Sequence, residues 1–162
     1  DHPLPIGSGQ TISQPSTVIM MLQLLDVLPG QRVLEIGSGS GYNAALLGKL
    51  VKPTGMVVTV ERHKELVELA RKNLRSAALE EVVVIEGDGK QGYEKLATFD
   101  RIIITAAADQ VPHNLKDQLA VGGVIVAPIG PTHGCEMLKL SKTSPDQFKT
   151  SSHGLFSFVP LV

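Results

Sequence analysis

The chain has 162 residues, 43% of them apolar and 19% charged, with 15 Lys and Arg against 16 Asp and Glu for a formal net charge of −1. That size and balance fit one globular domain with its own core and exclude a disordered chain. Near-zero charge argues against a nucleic-acid or membrane-surface binder, no apolar run reaches the roughly 20 residues of a membrane span, and the lone Cys135 leaves no disulfide framework or cysteine zinc site.

From about residue 16 onward, helix-like and strand-like segments alternate. The first helix is expected over Thr17 to Leu28, where Val18, Met21, Leu22, Leu25 and Leu28 share a face; Pro15 suits its first turn and Pro29-Gly30 its end. The first β-branched run is Arg32 to Ile36, followed by a helix over Ala44 to Val51 and a second run over Met56 to Val60. A helix over Lys64 to Ala77 carries Leu66, Leu69, Ala70, Leu74 and Ala77 on one side. Further strands are expected at Val82 to Ile85, Ile102 to Thr105 and Val121 to Ile129, with a short helix over Asn114 to Ala120. These runs are apolar throughout, as strands buried on both faces should be. Repeated strand–helix–strand units imply right-handed crossovers and a doubly wound, mostly parallel α/β sheet. After Gly130 the pattern changes. A loop over Pro131 to Glu136, a strand over Met137 to Leu140, a polar loop over Lys142 to Gly154 and a strand over Leu155 to Val162 suggest an antiparallel edge, where Pro160 is tolerated. With no linker or repeat, residues 1–162 read as a single domain: an N-terminal segment 1–15, a βα core 16–130 and C-terminal strands 131–162.

The sharpest motif is Glu35-Ile36-Gly37-Ser38-Gly39-Ser40-Gly41-Tyr42, a buried strand running into a glycine turn that opens a helix. Glycines there permit positive φ and close approach of a ligand to the backbone. In open α/β sheets ligands bind at the carboxyl ends of the strands. The dinucleotide pattern G-x-G-x-x-G fails because Tyr42 stands at its sixth position, and no P-loop ending follows. Glu61 ends the second strand, where a carboxylate accepts from ribose hydroxyls; a solvated strand-end Glu is the plain alternative. Gly87-Asp88-Gly89 follows the third strand, reading either as an adenine contact or as an ordinary Asp-Gly turn. The three acids Glu35, Glu61 and Asp88 fall at ends of successive strands and converge on one cleft.

The acid-first glycine pattern resembles the first motif of class I S-adenosylmethionine-dependent methyltransferases. Leu4-Pro5-Ile6-Gly7-Ser8-Gly9-Gln10-Thr11-Ile12-Ser13-Gln14-Pro15 narrows this, because it resembles the signature of the protein-L-isoaspartate (D-aspartate) O-methyltransferase family. Val33 to Tyr42, Gly87 to Gly92, Phe99 to Ala108, Pro128-Ile129-Gly130 and Phe158-Val159-Pro160-Leu161 are similar to that family's other motifs, so the resemblance spans nearly the whole chain. It implies a seven-stranded Rossmann-like sheet whose last two strands are exchanged relative to ordinary class I methyltransferases. It also implies transfer of a methyl group from S-adenosyl-L-methionine to the α-carboxylate of L-isoaspartyl residues, and less well to the side-chain carboxylate of D-aspartyl residues. S-adenosyl-L-homocysteine is then the product, and protein repair the purpose. The implied cofactor contacts are Gln10, Thr11, Ile12, Ser13, Glu35, Gly37, Ser38, Gly39, Gly41, Tyr42, Glu61, Arg62, Gly87, Asp88, Gly89 and Thr105. The implied substrate contacts are Ile6, Thr11, Ser13, Ala106, Ala107 and Val159, with Ser13 at the position treated as the active-site residue.

The residues agree with such chemistry. A carboxylate is already ionised at pH 7, so its methylation needs no general base. Placement and desolvation then carry catalysis, and a neutral hydroxyl on Ser13 serves better than a cation that would hold the ground state. The plain alternative for Ser13 is an N-cap of the following helix. His2, His63, His113, His133 and His153 share no metal-ligand spacing, so no metal is expected; His63 either edges the adenosine pocket or starts a surface helix. Cys135 reads as a small loop residue. Asp1 in place of Met, and the lack of most of the family's leading helical segment, suggest a chain cut from something longer. Ser16 and Lys95 to Thr98 depart from the family pattern. Two other functions share the motifs: an aspartyl O-methyltransferase that modifies a particular peptide, and a cofactor-binding adaptor without catalysis. The expected partners are isoaspartyl peptides and proteins, with no nucleic acid or membrane, for a cytoplasmic monomer.

Overall fold

The computed structural model describes residues 1–79 and 82–162. In chain order it contains β1 (Leu4–Gly7), β2 (Gln10–Ile12), α1 (Pro15–Leu25), β3 (Arg32–Ile36), α2 (Tyr42–Val51), β4 (Met56–Glu61), α3 (Lys64–Ser76), β5 (Val83–Glu86), β6 (Phe99–Ile104), α4 (His113–Asp117), β7 (Leu119–Ile129), β8 (His133–Ser144) and β9 (Gln147–Ser157). Strands β3 to β9 form one seven-stranded sheet in the order β5-β4-β3-β6-β7-β8-β9. The first five are parallel; β8 and β9 add in chain order as antiparallel strands at one edge. Among the described residues no helix is long and apolar enough to cross a membrane.

The period of two along each strand sorts the core into two layers. Val33, Val57, Ile103 and Val126 face one side, where Met21 and Leu25 of α1, Leu47 of α2, and Val67 and Leu74 of α3 cover them. Leu34, Val58, Ile102 and Ile125 face the other, packed with Phe99, Leu115, Leu119 and Leu140. The chain winds from β3 outward to β5, then returns to place β6 on the other side of β3. That reversal opens a crevice at the carboxyl ends of β3 and β6.

Element boundaries depart from the sequence pattern where tertiary contacts intervene. Helix α1 stops at Leu25 rather than Leu28 because Asp26 turns left-handed (φ 52°), and its carbonyl accepts from Nε of Arg101 at 3.1 Å. Helix α4 ends at Asp117, and Leu119-Ala120 start β7 instead, since Leu119 pairs with Phe99 of a β6 that begins three residues before Ile102. The largest correction lies past Gly130. Residues 133–136 and 142–154, expected as loops, belong to the long strands β8 and β9, joined at Pro145-Asp146. Their polar composition reflects a mostly exposed edge strand. Lys142 is nevertheless buried, because its Nζ donates to the carbonyls of Lys116 at 2.7 Å and Leu119 at 2.9 Å. The expected strand over 155–162 ends at Ser157; beyond it Pro160 makes only an isolated bridge to Ala107. The first ordered element is likewise earlier than expected, since residues 4–12 form the antiparallel hairpin β1–β2, with Ser8 and Gly9 at positive φ in its turn.

Candidate active site

The glycine loop leaves β3 at Gly37 (φ 94°) and enters α2 after Gly41 (φ 81°). Each glycine has a distinct reason. A Cβ on Gly37 would collide with Oγ1 of Thr105, which donates to the carbonyls of Ile36 and Gly37, each at 2.9 Å. On Gly41 a Cβ would lie 3.1 Å from Cα of Ala70 in α3. On Gly39 it would stand 3.1 Å from Cδ1 of Ile6, within the cavity both residues line.

Glu35 is fully buried beneath α2 and does not line that cavity. It accepts from Nδ2 of Asn43 at 2.7 Å and from Oγ1 of Thr59 at 2.5 Å. Thr59 has one hydroxyl proton, spent on Glu35, so the 2.7 Å contact between Ser38 and Thr59 is donated by Ser38. Glu35 thus ties the loop and the first turn of α2 to β4 through other side chains. Burial pushes its carboxyl up to about 7, against the lowering effect of the Thr59 and Asn43 hydrogen bonds, and the charge of Glu61 adds to the rise. Oδ1 of Asn43 is a buried acceptor without a hydrogen-bond partner among the described residues.

Glu61, 7% exposed, ends β4. Its Oε1 accepts from the amides of Arg62 and His63 and lies 3.0 Å from Nδ1 of His63. Among the described residues its Oε2 accepts only from the amide of Gly39, at 3.1 Å, so that oxygen, at the lining of both cavities, retains a lone pair.

One cavity brings together Ile6, Gln10, Thr11, Ile12, Ser13, Gly37, Ser38, Gly39, Tyr42, Glu61, Thr105, Ala106 and Val159 of the expected set. An adjoining recess holds Arg62 and Gly89, and shares Gln10, Gly37, Glu61 and Ala106 with it. A larger cleft shares Thr11, Ser13, Thr105 and Val159. Five expected residues line none of the three. Glu35 lies behind the loop, and Gly41 packs on α3. Ala107 is buried, its amide donating to Val159 and its carbonyl accepting from Leu161. Gly87 donates to the Glu61 carbonyl. Asp88 is exposed outside the recess, with Oδ1 accepting from the Lys90 amide, the turn geometry that an Asp-Gly pair favours; Oδ2 accepts nothing among the described residues.

Ser13 is not the cap of α1. The N-cap is Gln14, whose carbonyl accepts from the amides of Thr17 and Val18. Ser16, next to Pro15, is held by Asp1, whose Oδ1 takes its amide at 3.1 Å and Oδ2 its hydroxyl at 2.6 Å. Ser13 has no side-chain partner among the described residues and stands where cavity and cleft meet. His63 is at once the residue before α3 and part of the recess wall. Sequence reasoning missed Val18, Met21 and Asn43, which line the cavity from α1 and α2, and Pro160, Leu161 and Val162 over the recess. Only their three-dimensional placement marks them; Asn43 alone carried a signal, as a polar residue directly after the glycine loop.

The family model for protein-L-isoaspartate(D-aspartate) O-methyltransferase matches residues 1–162. A protein-L-isoaspartate O-methyltransferase of Methanopyrus kandleri is 48% identical over 163 residues, covering 100% of this chain and 72% of that protein. A solved structure named protein-L-isoaspartate O-methyltransferase superposes with a TM-score of 0.88 at 30% identity, over 98% of this chain and 51% of its own length. A putative protein-L-isoaspartate O-methyltransferase from Plasmodium falciparum, solved in complex with S-adenosyl-L-homocysteine, gives 0.87 at 29% identity over 100% of this chain and 80% of that one.

Proposed function

Because this chain belongs to the protein-L-isoaspartate(D-aspartate) O-methyltransferase family, we propose that it methylates the α-carboxylate of L-isoaspartyl residues in damaged proteins, and less well the side-chain carboxylate of D-aspartyl residues. It is an S-adenosylmethionine-dependent carboxyl methyltransferase, and isoaspartyl proteins are its substrates. One observation carries the reading: the glycine loop, Glu61 and the Thr11-Ile12-Ser13 segment line a single cavity that opens at Ser13 into a second cleft.

The residues present fit S-adenosylmethionine. A Cβ on Gly39 would crowd Ile6 across the lining of the cavity, so glycine there keeps the loop backbone open to a ligand. When bound, the cofactor supplies a methyl group on a positively charged sulfur. Glu61 would accept from the ribose hydroxyls through Oε2, which also holds the Gly39 amide of the loop, while its other oxygen fixes the turn after β4 through the Arg62 and His63 amides. The recess beside Arg62 and Gly89 would hold the adenine, and Asp88, the residue before Gly89, would offer Oδ2 to its exocyclic amine. Glu35 acts as a positioning residue through Asn43, Thr59 and Ser38.

On the substrate side, the ionised carboxylate attacks directly. Because that carboxylate is itself the nucleophile, no residue has to remove a proton, and transfer from the cofactor would cancel the two charges. The free Ser13 hydroxyl donates to the carboxylate and orients one oxygen. Ile6, Ile12 and Val159 keep water from the meeting point of the two charges. The ester then closes to a succinimide without the protein, and hydrolysis returns part of it to aspartate. The whole chain acts as one domain and as a monomer, in the cytoplasm where the cofactor is available.

The test is methyl transfer from labelled S-adenosylmethionine to a peptide holding one isoaspartate, against the same peptide with aspartate. Label on the isoaspartyl peptide alone supports repair. Label on the aspartyl peptide would instead make the chain a peptide-modifying enzyme, and calorimetric binding of the cofactor with no transfer would make it an adaptor.

A further inference from the structure

The larger cleft, of about 850 Å3, falls in the range of sites for ligands well beyond a single carboxylate. It runs on from the cofactor cavity through Thr11, Ser13, Thr105 and Val159, so its remaining walls meet what flanks the reacting residue. Those walls have a marked chemistry. Among the described residues lining the cleft there is no Asp, Glu, Lys or Arg, His133 is the one titratable side chain, and the apolar side chains are Pro3, Leu155, Phe156, Phe158, Val159 and Pro160. Leu155 is 71% exposed, the most exposed of the large apolar side chains. It lies near the end of the edge strand β9, whose other exposed positions are mostly polar, among them Lys149, Thr150, Ser151 and Ser152. Core packing therefore does not account for a leucine there. An isolated exposed leucine is ordinary, but one that extends an apolar wall of a binding cleft marks a contact surface.

We propose that Leu155 is a specificity-determining residue: with Phe156 and Phe158 it seats the side chain beside the isoaspartyl residue, so that a large apolar neighbour is favoured over a polar or acidic one. This rests on the isoaspartyl reading above. An apolar neighbour gains by leaving water against this wall. An acidic neighbour finds no Lys or Arg to replace its hydration.

The test uses isoaspartyl peptides in which the residue before or after the isoaspartate, one at a time, is Leu, Ser or Glu. At one of the two flanks, Leu is expected to lower KM about fivefold relative to Ser and Glu to raise it, with kcat within about twofold. In Leu155→Ser the Leu-to-Ser advantage in KM shrinks below about twofold, while kcat for the two peptides stays within about twofold of each other; Leu155→Met restores the advantage. Because Leu155 is exposed, neither substitution removes a core contact. Equal KM values in the wild type, or a preference that survives in Leu155→Ser, would overturn the proposal and leave the repair reading intact. If no isoaspartyl peptide is methylated while S-adenosyl-L-homocysteine still binds by calorimetry, the repair reading itself fails and takes this one with it.

Discussion

Around the glycine loop, polar side chains are tied to the central strands β3, β4 and β6: Ser38 to Thr59, Thr59 to Glu35, Gly39 to Glu61, Thr105 to the Gly37 carbonyl. Along the larger cleft the walls come from the small hairpin β1–β2, from the start of α1 and from the outer end of β8–β9, and Ser13 has no side-chain partner among the described residues. The cofactor side is thus held by buried neighbours on both flanks. The substrate side is held from the rim. A site that must bind one invariant small molecule gains from preorganisation, whereas a site that must admit isoaspartate in many peptide contexts gains from side chains free to adjust.

This contrast is sharpest at Gly37. Gly37→Ala sets a left-handed alanine against Thr105, so a loss of about 2–4 kcal/mol of stability is expected together with loss of measurable cofactor binding, read by denaturant unfolding and calorimetry. A wild-type-like protein would show that the loop is less constrained than its contacts imply. Glu35 gives the next effect. Its carboxyl holds its proton more tightly folded, at about 7, than at the ordinary 4.5, so between those values the native state binds more protons than the unfolded one. Stability from this group therefore falls as pH rises from about 4.5 to 7, by up to roughly 3 kcal/mol, and Glu35→Gln should flatten that part of the pH–stability curve. An unchanged slope in the variant would assign the effect elsewhere. Glu61→Ala frees the amides of Gly39, Arg62 and His63 and should weaken S-adenosyl-L-homocysteine binding about 10- to 100-fold. Ser13→Ala comes last: about a tenfold fall in kcat/KM for an isoaspartyl peptide, with cofactor affinity and Tm nearly unchanged. If Ser13→Ala instead lowered Tm as much as Gly37→Ala, the distinction between the two sides would collapse.

How legible each part was follows the same division. Strands β3, β4 and β6 could be read directly because burial on both faces demands unbroken apolar runs, and Gly37, Glu61 and Thr105 sit at their ends. The hairpin β8–β9 could not, because an edge exposed to water tolerates Lys, Ser, Thr and Gln at most positions and then looks like a loop. The buried Lys142 deepened that disguise: its charge is accommodated by carbonyls at the end of α4 and the start of β7, which no local pattern announces. At the site, Ser13 was visible as a motif residue, but the choice between cap and free hydroxyl depended on Gln14 taking the cap position.

The sequence by itself determined the doubly wound core, the loop that faces the cofactor and the family signature, because each is encoded by neighbours along the chain: apolar periodicity, positive-φ glycines and contiguous motifs. The tertiary structure alone decided that Ala107 stands behind the cavity rather than in it, and through which side chains Glu35 reaches the loop. It alone brought Val18, Met21 and Asn43 to the cavity wall, and it carried Leu155 from a distant edge strand to the rim beyond Ser13. Those placements depend on how elements far apart in the chain pack across the sheet, and packing is a property of the assembled fold rather than of any segment.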